Sequence, residues 1–143
     1  MNRGKIVLAS DHSGLELKNK LNEHLKSLSI DILDVGPYEY VKDDDYPDFV
    51  KIANDIVLNQ DCMGIYCCAS GIGVSMSANR KSGIRAVNIT LLEHARLSRL
   101  HEDANVMCFG QNFISFDEAV KAIDVFFNTE FEGGRHLRRI SKY

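Results

Sequence analysis

The chain has 143 residues, of which 45% are hydrophobic and 26% are charged. This composition is typical of a globular protein of one-domain size, and it excludes disordered, collagen-like and coiled-coil chains. The 17 lysines and arginines against 20 aspartates and glutamates give a net charge of −3, so bulk charge favours neither nucleic-acid nor membrane binding. Apolar runs are too short for a membrane span or a signal peptide. We therefore expect a cytoplasmic protein without nucleic-acid or membrane partners.

Short apolar runs alternate with longer amphipathic segments along the whole chain. The short runs predict five buried strands, at residues 5–10, 30–35, 63–68, 84–89 and 106–109. The longer segments predict five helices, at about residues 14–28, 47–59, 74–80, 91–100 and 116–127. Pro47 suits the first turn of the second helix, because proline has no N–H to leave unpaired there.

Repeated strand–helix units without an internal linker predict a single domain over residues 1–143. The connections are too long for hairpins, so we expect a mainly parallel sheet of five strands. Helices on both faces would make it a three-layer, doubly wound α/β fold of Rossmann-like or flavodoxin-like type. Ligands bind such sheets at the carboxyl ends of the strands. We therefore expect Asp11, His12, Cys68 and His101, which follow strands or their helices, to lie together.

The cysteines favour no metal or disulfide framework. They lack C-x-x-C spacing, which excludes zinc knuckles and thioredoxin-type motifs. We expect free thiols in a reducing compartment. The four residues are Cys62, Cys67, Cys68 and Cys108.

A glycine-spaced loop, Cys68 to Gly73, follows the third predicted strand. Gly71 and Gly73 can adopt positive φ and let the backbone approach a ligand, while the next helix directs N–H groups toward an anion. The spacing matches neither a P-loop nor a dinucleotide fingerprint. A thiol beside backbone donors remains, a setting that favours the reactive thiolate. The alternative is a tight strand-to-helix turn around a buried cysteine.

Other candidates also have two interpretations. Asp11 is either a helix N-cap or, with His12, a polar pair within reach of sugar hydroxyls or phosphate. His101 is either a partner of a helix C-terminus or a functional group. Arg135 and Arg139 share a face if the tail is helical, and two guanidiniums suit a phosphate. A solvated basic tail is the alternative.

Five segments together resemble the family of ribose-5-phosphate isomerase type B and galactose-6-phosphate isomerase. They are DHSGLELK (11–18), DYPD (45–48), CASGIGVSMSANRKSGIRA (68–86), ARLSRLHEDANVMCFG (95–110) and FEGGRHLRR (131–139). The resemblance implies a flavodoxin-like fold and a homodimer or dimer of dimers that shares its sites. It also implies aldose–ketose isomerisation of a sugar phosphate through an enediolate, with no metal and no cofactor.

The resemblance further implies roles for individual residues. Cys68 corresponds to the base that moves the proton between C1 and C2, and His101 to the group that opens the furanose ring. Some members use a glutamate six residues later as the base, and that position here is Val74. The implied substrate contacts are Asp11, His12, Tyr46, Ala69, Ser70, Gly71, Ile72 and Gly73, with Arg135 and Arg139 as phosphate ligands.

Three implied contact positions depart from the family pattern. Ala69 replaces the usual glycine, Glu102 replaces an asparagine, and Asn112 stands where arginine is common. Glu102 either repels an anionic substrate or pairs with Arg135 or Arg139, in its own or a partner subunit.

The expected reaction interconverts ribose 5-phosphate and ribulose 5-phosphate, in non-oxidative pentose phosphate metabolism. Galactose-type members divide their site residues between two unlike subunits, so the presence of Cys68, His101 and both arginines in one chain favours the pentose substrate. A hexose 6-phosphate isomerase and a non-catalytic sugar-phosphate binding module are the alternatives. The fifth predicted strand, the last predicted helix and the segment between them have more apolar residues than the edge of a small domain needs, which favours oligomerisation. These residues are Phe109, Phe113, Phe126 and Phe127.

Overall fold

The structure is a computed structural model that describes residues 4–143, so the first three residues of the predicted domain lie outside it. Parallel strands form one sheet: β1 (Lys5–Ser10), β2 (Asp31–Asp34), β3 (Met63–Cys68), β4 (Ala86–Asn88) and β5 (Val106–Gly110). The helices are α1 (Leu15–Ser27), α2 (Tyr46–Gln60), α3 (Ile72–Ala78), α4 (Leu92–Glu102), α5 (Phe116–Phe127) and α6 (Arg135–Ile140). The expected five-stranded, doubly wound α/β fold is confirmed.

Strand order is β2-β1-β3-β5-β4. The two last strands are therefore exchanged relative to the flavodoxin order 2-1-3-4-5. Burial explains the exchange, since residues 106–109 are fully buried and suit an inner strand, whereas Val87 and Asn88 of β4 are half-buried. The predicted strand 84–89 is shorter than expected. Its Arg85 N–H donates to the Asn105 side chain at 2.8 Å instead of extending the ladder.

The two faces of the sheet have separate cores, because side chains alternate along each strand. Helices α1, α4 and α5 pack on one face with Ile6, Ile65 and Cys67, and α2 and α3 pack on the other with Val7 and Cys68. The adjacent residues Cys67 and Cys68 consequently point into different layers. The side chain of Cys68 lies on the α2–α3 side.

Because the strands are parallel, their carboxyl ends lie along one side of the sheet, which we call the carboxyl edge. Their amino ends lie along the opposite side, which we call the amino edge. At the carboxyl edge the strands end, with Ser10 opposite Cys67 and Cys68 opposite Gly110. Each connecting helix begins near that edge and returns the chain to the amino edge, where the next strand begins. Helix α4 has 11 residues; at 1.5 Å per residue it is about 16 Å long. Among residues 4–143, none of the helices combines the length and apolar character that a bilayer crossing requires.

Candidate active site

Cys68 ends strand β3 at the carboxyl edge. Its side chain is buried, and its Sγ accepts a hydrogen bond from the Gly71 backbone N–H at 3.1 Å. This hydrogen bond orients the Cys68 side chain toward the loop that follows it. Burial raises the pKa of Cys62, Cys67 and Cys108. All four cysteines are free, as expected.

The loop after Cys68 is held rigidly. Gly71 has φ +76°, and a Cβ there would lie 2.2 Å from the Oδ1 of Asn88. The Cys68 carbonyl accepts from the Gln111 N–H at 2.8 Å, and the Ala69 carbonyl accepts from the Asn112 N–H at 3.1 Å. Glycine is required here for conformation and for space, so the loop is preorganised against the end of β5.

Tyr46 closes the loop from the opposite side. It is the first residue of α2, with Pro47 in the first turn as expected. A Cβ on Gly73 would lie 2.5 Å from the Tyr46 ring. This close approach joins the N-termini of α2 and α3 beside Cys68.

Asp11 caps the short 3₁₀ turn that precedes α1. Its Oδ1 accepts from the N–H groups of Ser13 and Gly14 at 2.9 and 3.0 Å, and from the Ser13 hydroxyl at 2.6 Å. A Cβ on Gly14 would lie 2.4 Å from the Cys67 carbonyl, so this turn packs against the end of β3. The N-cap interpretation of Asp11 is therefore confirmed, and it places the turn next to Cys68.

His12 pairs with Asp44, a residue that the sequence argument missed. The Asp44 Oδ1 lies 2.7 Å from His12 Nδ1 and accepts from the His12 N–H at 2.8 Å. The hydrogen bond to Asp44 raises the pKa of His12. The only sequence signal was the acidic run that precedes Tyr46, and an acidic run more often marks a solvated loop.

His101 does not join this group within one chain, so the expected clustering with Cys68 is wrong. Its ring lies at the end of α4 and stacks on His136 of α6, with centroids 4.2 Å apart. Arg85, just before β4, donates to the carbonyls of Glu102 and Asp103 at 3.1 and 2.9 Å. The end of α4 therefore lies at the amino edge, because the helix has returned the chain there.

The predicted phosphate ligands share that edge. Arg135 and Arg139 are exposed on α6, which is helical as the spacing required. Glu102 forms no ion pair with either arginine among the described residues; its carboxylate accepts from the Tyr143 hydroxyl. That hydrogen bond raises the pKa of Tyr143. The predicted site is thus divided between the two edges of the sheet.

One group of side chains among residues 4–143 has the composition of a metal site. The donor atoms of His101, Glu132 and His136 lie within 4.8 Å of one another. The two imidazole planes are within 11° of parallel, so their lone pairs lie side by side. A tetrahedral ion needs lone pairs that converge, so this arrangement does not fit one without turning a ring.

The predicted interface residues are mostly internal. Phe109 and Phe126 are buried in the core and Phe127 packs against it, so the expectation is wrong for these three. Strand β5 is an inner strand, and α5 packs its apolar face on the sheet. Phe113 is 75% exposed. Apolar residues are instead exposed beside the Cys68 loop, on α3 and at the start of α4: Ile72, Met76, Leu91 and Leu92.

Known proteins are similar to this chain in sequence and in fold. The profile of the family described as Ribose/Galactose Isomerase matches residues 6–143. The probable ribose-5-phosphate isomerase B of Mycoplasma genitalium is 42% identical over 139 residues, which cover 96% of this chain and 91% of that protein. The ribose-5-phosphate isomerase B of Escherichia coli is 34% identical, with 95% and 91% covered. A crystal structure of the Mycoplasma genitalium enzyme with bound ribulose 5-phosphate superposes with a TM-score of 0.92 at 41% identity, covering 96% of this chain and 92% of that one.

Proposed function

The chain belongs to the ribose/galactose isomerase family, and on that premise we propose that it interconverts ribose 5-phosphate and ribulose 5-phosphate. The family description covers pentose and hexose substrates. Relatives from Mycoplasma genitalium and Escherichia coli that are both named for ribose 5-phosphate support the pentose. The observation that most supports isomerase chemistry in this chain is the hydrogen bond from the Gly71 N–H to the Cys68 sulfur at 3.1 Å.

Cys68 is the proposed base. Its thiolate removes the proton from C2 of the open-chain aldose, and the electron pair of that C–H bond forms the C1–C2 double bond of an enediolate. The carbonyl electrons of the aldehyde move to O1, and the hydroxyl proton on O2 passes to O1. The C2–O2 bond then becomes the carbonyl as the thiol returns its proton to C1, which gives the ketose. A positioned base contributes about 10²–10⁴-fold to such a step. Backbone N–H groups of residues 69–73 are the proposed donors to the developing oxyanion, where the loss of one donor commonly costs about 10²–10³-fold.

The complete site is proposed to require two copies of the chain. Cys68, His12 and Tyr46 lie at the carboxyl edge, whereas His101 and the α6 arginines lie at the amino edge. Apolar side chains beside the Cys68 loop, such as Met76 at 67% exposed, support an interface there. In a homodimer or a dimer of dimers the partner's amino edge covers this surface. The partner then supplies a histidine to open the furanose ring and two guanidiniums to bind the phosphate.

Formation of ribulose 5-phosphate from ribose 5-phosphate, measured with a chelator present, tests the reaction. We expect Cys68→Ala to lower kcat at least about a hundredfold, because the base is lost. Cys62→Ala is the matched control, since that thiol is also buried but lies at the amino end of β3. Full activity in Cys68→Ala would exclude this residue as the base. If the wild type binds ribose 5-phosphate without turnover, hexose 6-phosphates are the next substrates to assay.

A further inference from the structure

The side-chain hydrogen bonds of Asp44 are all made with His12 among residues 4–143. Only 10% of its side chain is exposed, and its only ion pair within residues 4–143 is with His12. Its Oδ1 receives both hydrogen bonds from His12, and its Oδ2 is buried with no described donor. Within the described part of the chain, His12 is therefore the one cationic partner of the Asp44 carboxylate.

The same contact determines which nitrogen of His12 faces outward. With Oδ1 at 2.7 Å, Nδ1 must have a proton, because an unprotonated nitrogen and a carboxylate would repel each other. No hydrogen bond joins Nε2 to any other described residue, and 27% of the His12 side chain is exposed. Nε2 is therefore free to donate when the ring is charged, beside the turn that packs on the end of β3.

We propose that Asp44 is a positioning residue for His12, which it holds as an imidazolium whose Nε2–H donates to the anionic sugar phosphate. This inference rests on the proposed function, because it assigns a role within that same site. Asp44 itself does not touch the substrate. It acts by fixing the orientation and the charge of the ring.

The charges around His12 agree with this role. The Asp44 hydrogen bond is the largest influence that raises the pKa of His12, and the charge of Asp11 adds to it. Partial burial opposes them, and Tyr40, whose ring packs edge to face at 5.6 Å, is uncharged when protonated. Because the pKa is raised, the imidazolium persists to higher pH than in a free histidine and is lost as pH rises further. Substrate affinity should decline over the same pH range.

The test compares Asp44→Asn with the wild type. The amide can still accept from both N–H groups of His12 but has no charge, so geometry and charge are separated. Asp43→Asn is the control, because it removes the same charge from the exposed neighbouring position. NMR titration of isotopically labelled histidine, with His12 assigned from the missing signal in His12→Gln, reports the pKa and the tautomer directly.

We expect Asp44→Asn to lower the pKa of His12 and to raise KM about fivefold or more at a pH between the two measured titration midpoints, with kcat changed less. Below both midpoints, where both imidazoles are charged, the KM values should converge. Asp43→Asn should change neither quantity. An unchanged His12 titration, or a KM increase that is independent of pH, would overturn the proposal.

Two measurements keep this proposal separate from the isomerase assignment. The wild-type titration requires no turnover, and a neutral ring protonated at Nε2 instead of Nδ1 would refute the positioning role even if Asp44→Asn does not fold. Binding of inorganic phosphate, followed by the His12 signals, is also independent of the reaction. If ribose 5-phosphate is not converted but phosphate shifts those signals in an Asp44-dependent way, the proposed reaction fails and the positioning role stands.

Discussion

A mixing experiment tests whether the catalytic groups come from two chains. Cys68→Ala and His101→Ala each remove one group that the proposed mechanism requires. Within one chain these residues lie at opposite edges of the sheet. Leu92, near the carboxyl edge, and His101 are nine positions apart on α4, which is an axial distance of about 14 Å. Reacting groups must approach to about 3–3.5 Å, so the two side chains of one chain cannot serve the same substrate.

The expected activity of the mixture follows from counting sites. Random pairing of the two variants gives one half mixed dimers, and each mixed dimer has one site with both groups intact and one site with neither. The mixture should therefore recover about a quarter of wild-type activity, although each variant alone falls at least about a hundredfold. A dimer of dimers gives the same fraction if each site lies within one dimer.

The assay uses co-expressed variants with two different affinity tags. Tandem purification isolates the mixed dimer, whose activity should reach about half of the wild type, because one of its two sites is intact. A dimer in which both chains have the Cys68→Ala substitution but different affinity tags is the control for the purification. Recovery that does not exceed the single variants would refute the two-chain site and would place both groups in one chain.

Two further predictions concern the loop and the apolar surface beside it. Gly71→Ala should lower the free energy of unfolding in urea by at least about 1 kcal/mol more than Gly133→Ala. Both glycines have positive φ, but only a Cβ at Gly71 would meet a neighbouring atom, Asn88 Oδ1 at 2.2 Å. Equal losses of stability would show that this contact is easily relieved. Met76→Glu should shift sedimentation toward a monomer and reduce turnover, whereas Ile52→Glu, 53% exposed on α2, should do neither. An unchanged dimer in Met76→Glu would place the interface elsewhere.

The sequence was sufficient to predict the layers of the fold. Strand and helix positions follow from local periodicity, and long connections between buried runs leave a parallel sheet as the main solution. The family is also readable from the sequence, because its motifs are contiguous segments. The helix cap at Asp11 and the helical tail with Arg135 and Arg139 are local features too, and both are present.

The tertiary structure decided which of these residues meet. Periodicity does not reveal that β5 lies between β3 and β4, since that depends on which strand buries both faces. It also does not show that α4 returns His101 to the edge opposite Cys68. The contact between Asp44 and His12 joins positions 32 residues apart, and Asp44 lies in a loop without regular structure. Local patterns determine elements, but contacts between distant residues depend on how the packed layers bring their ends together.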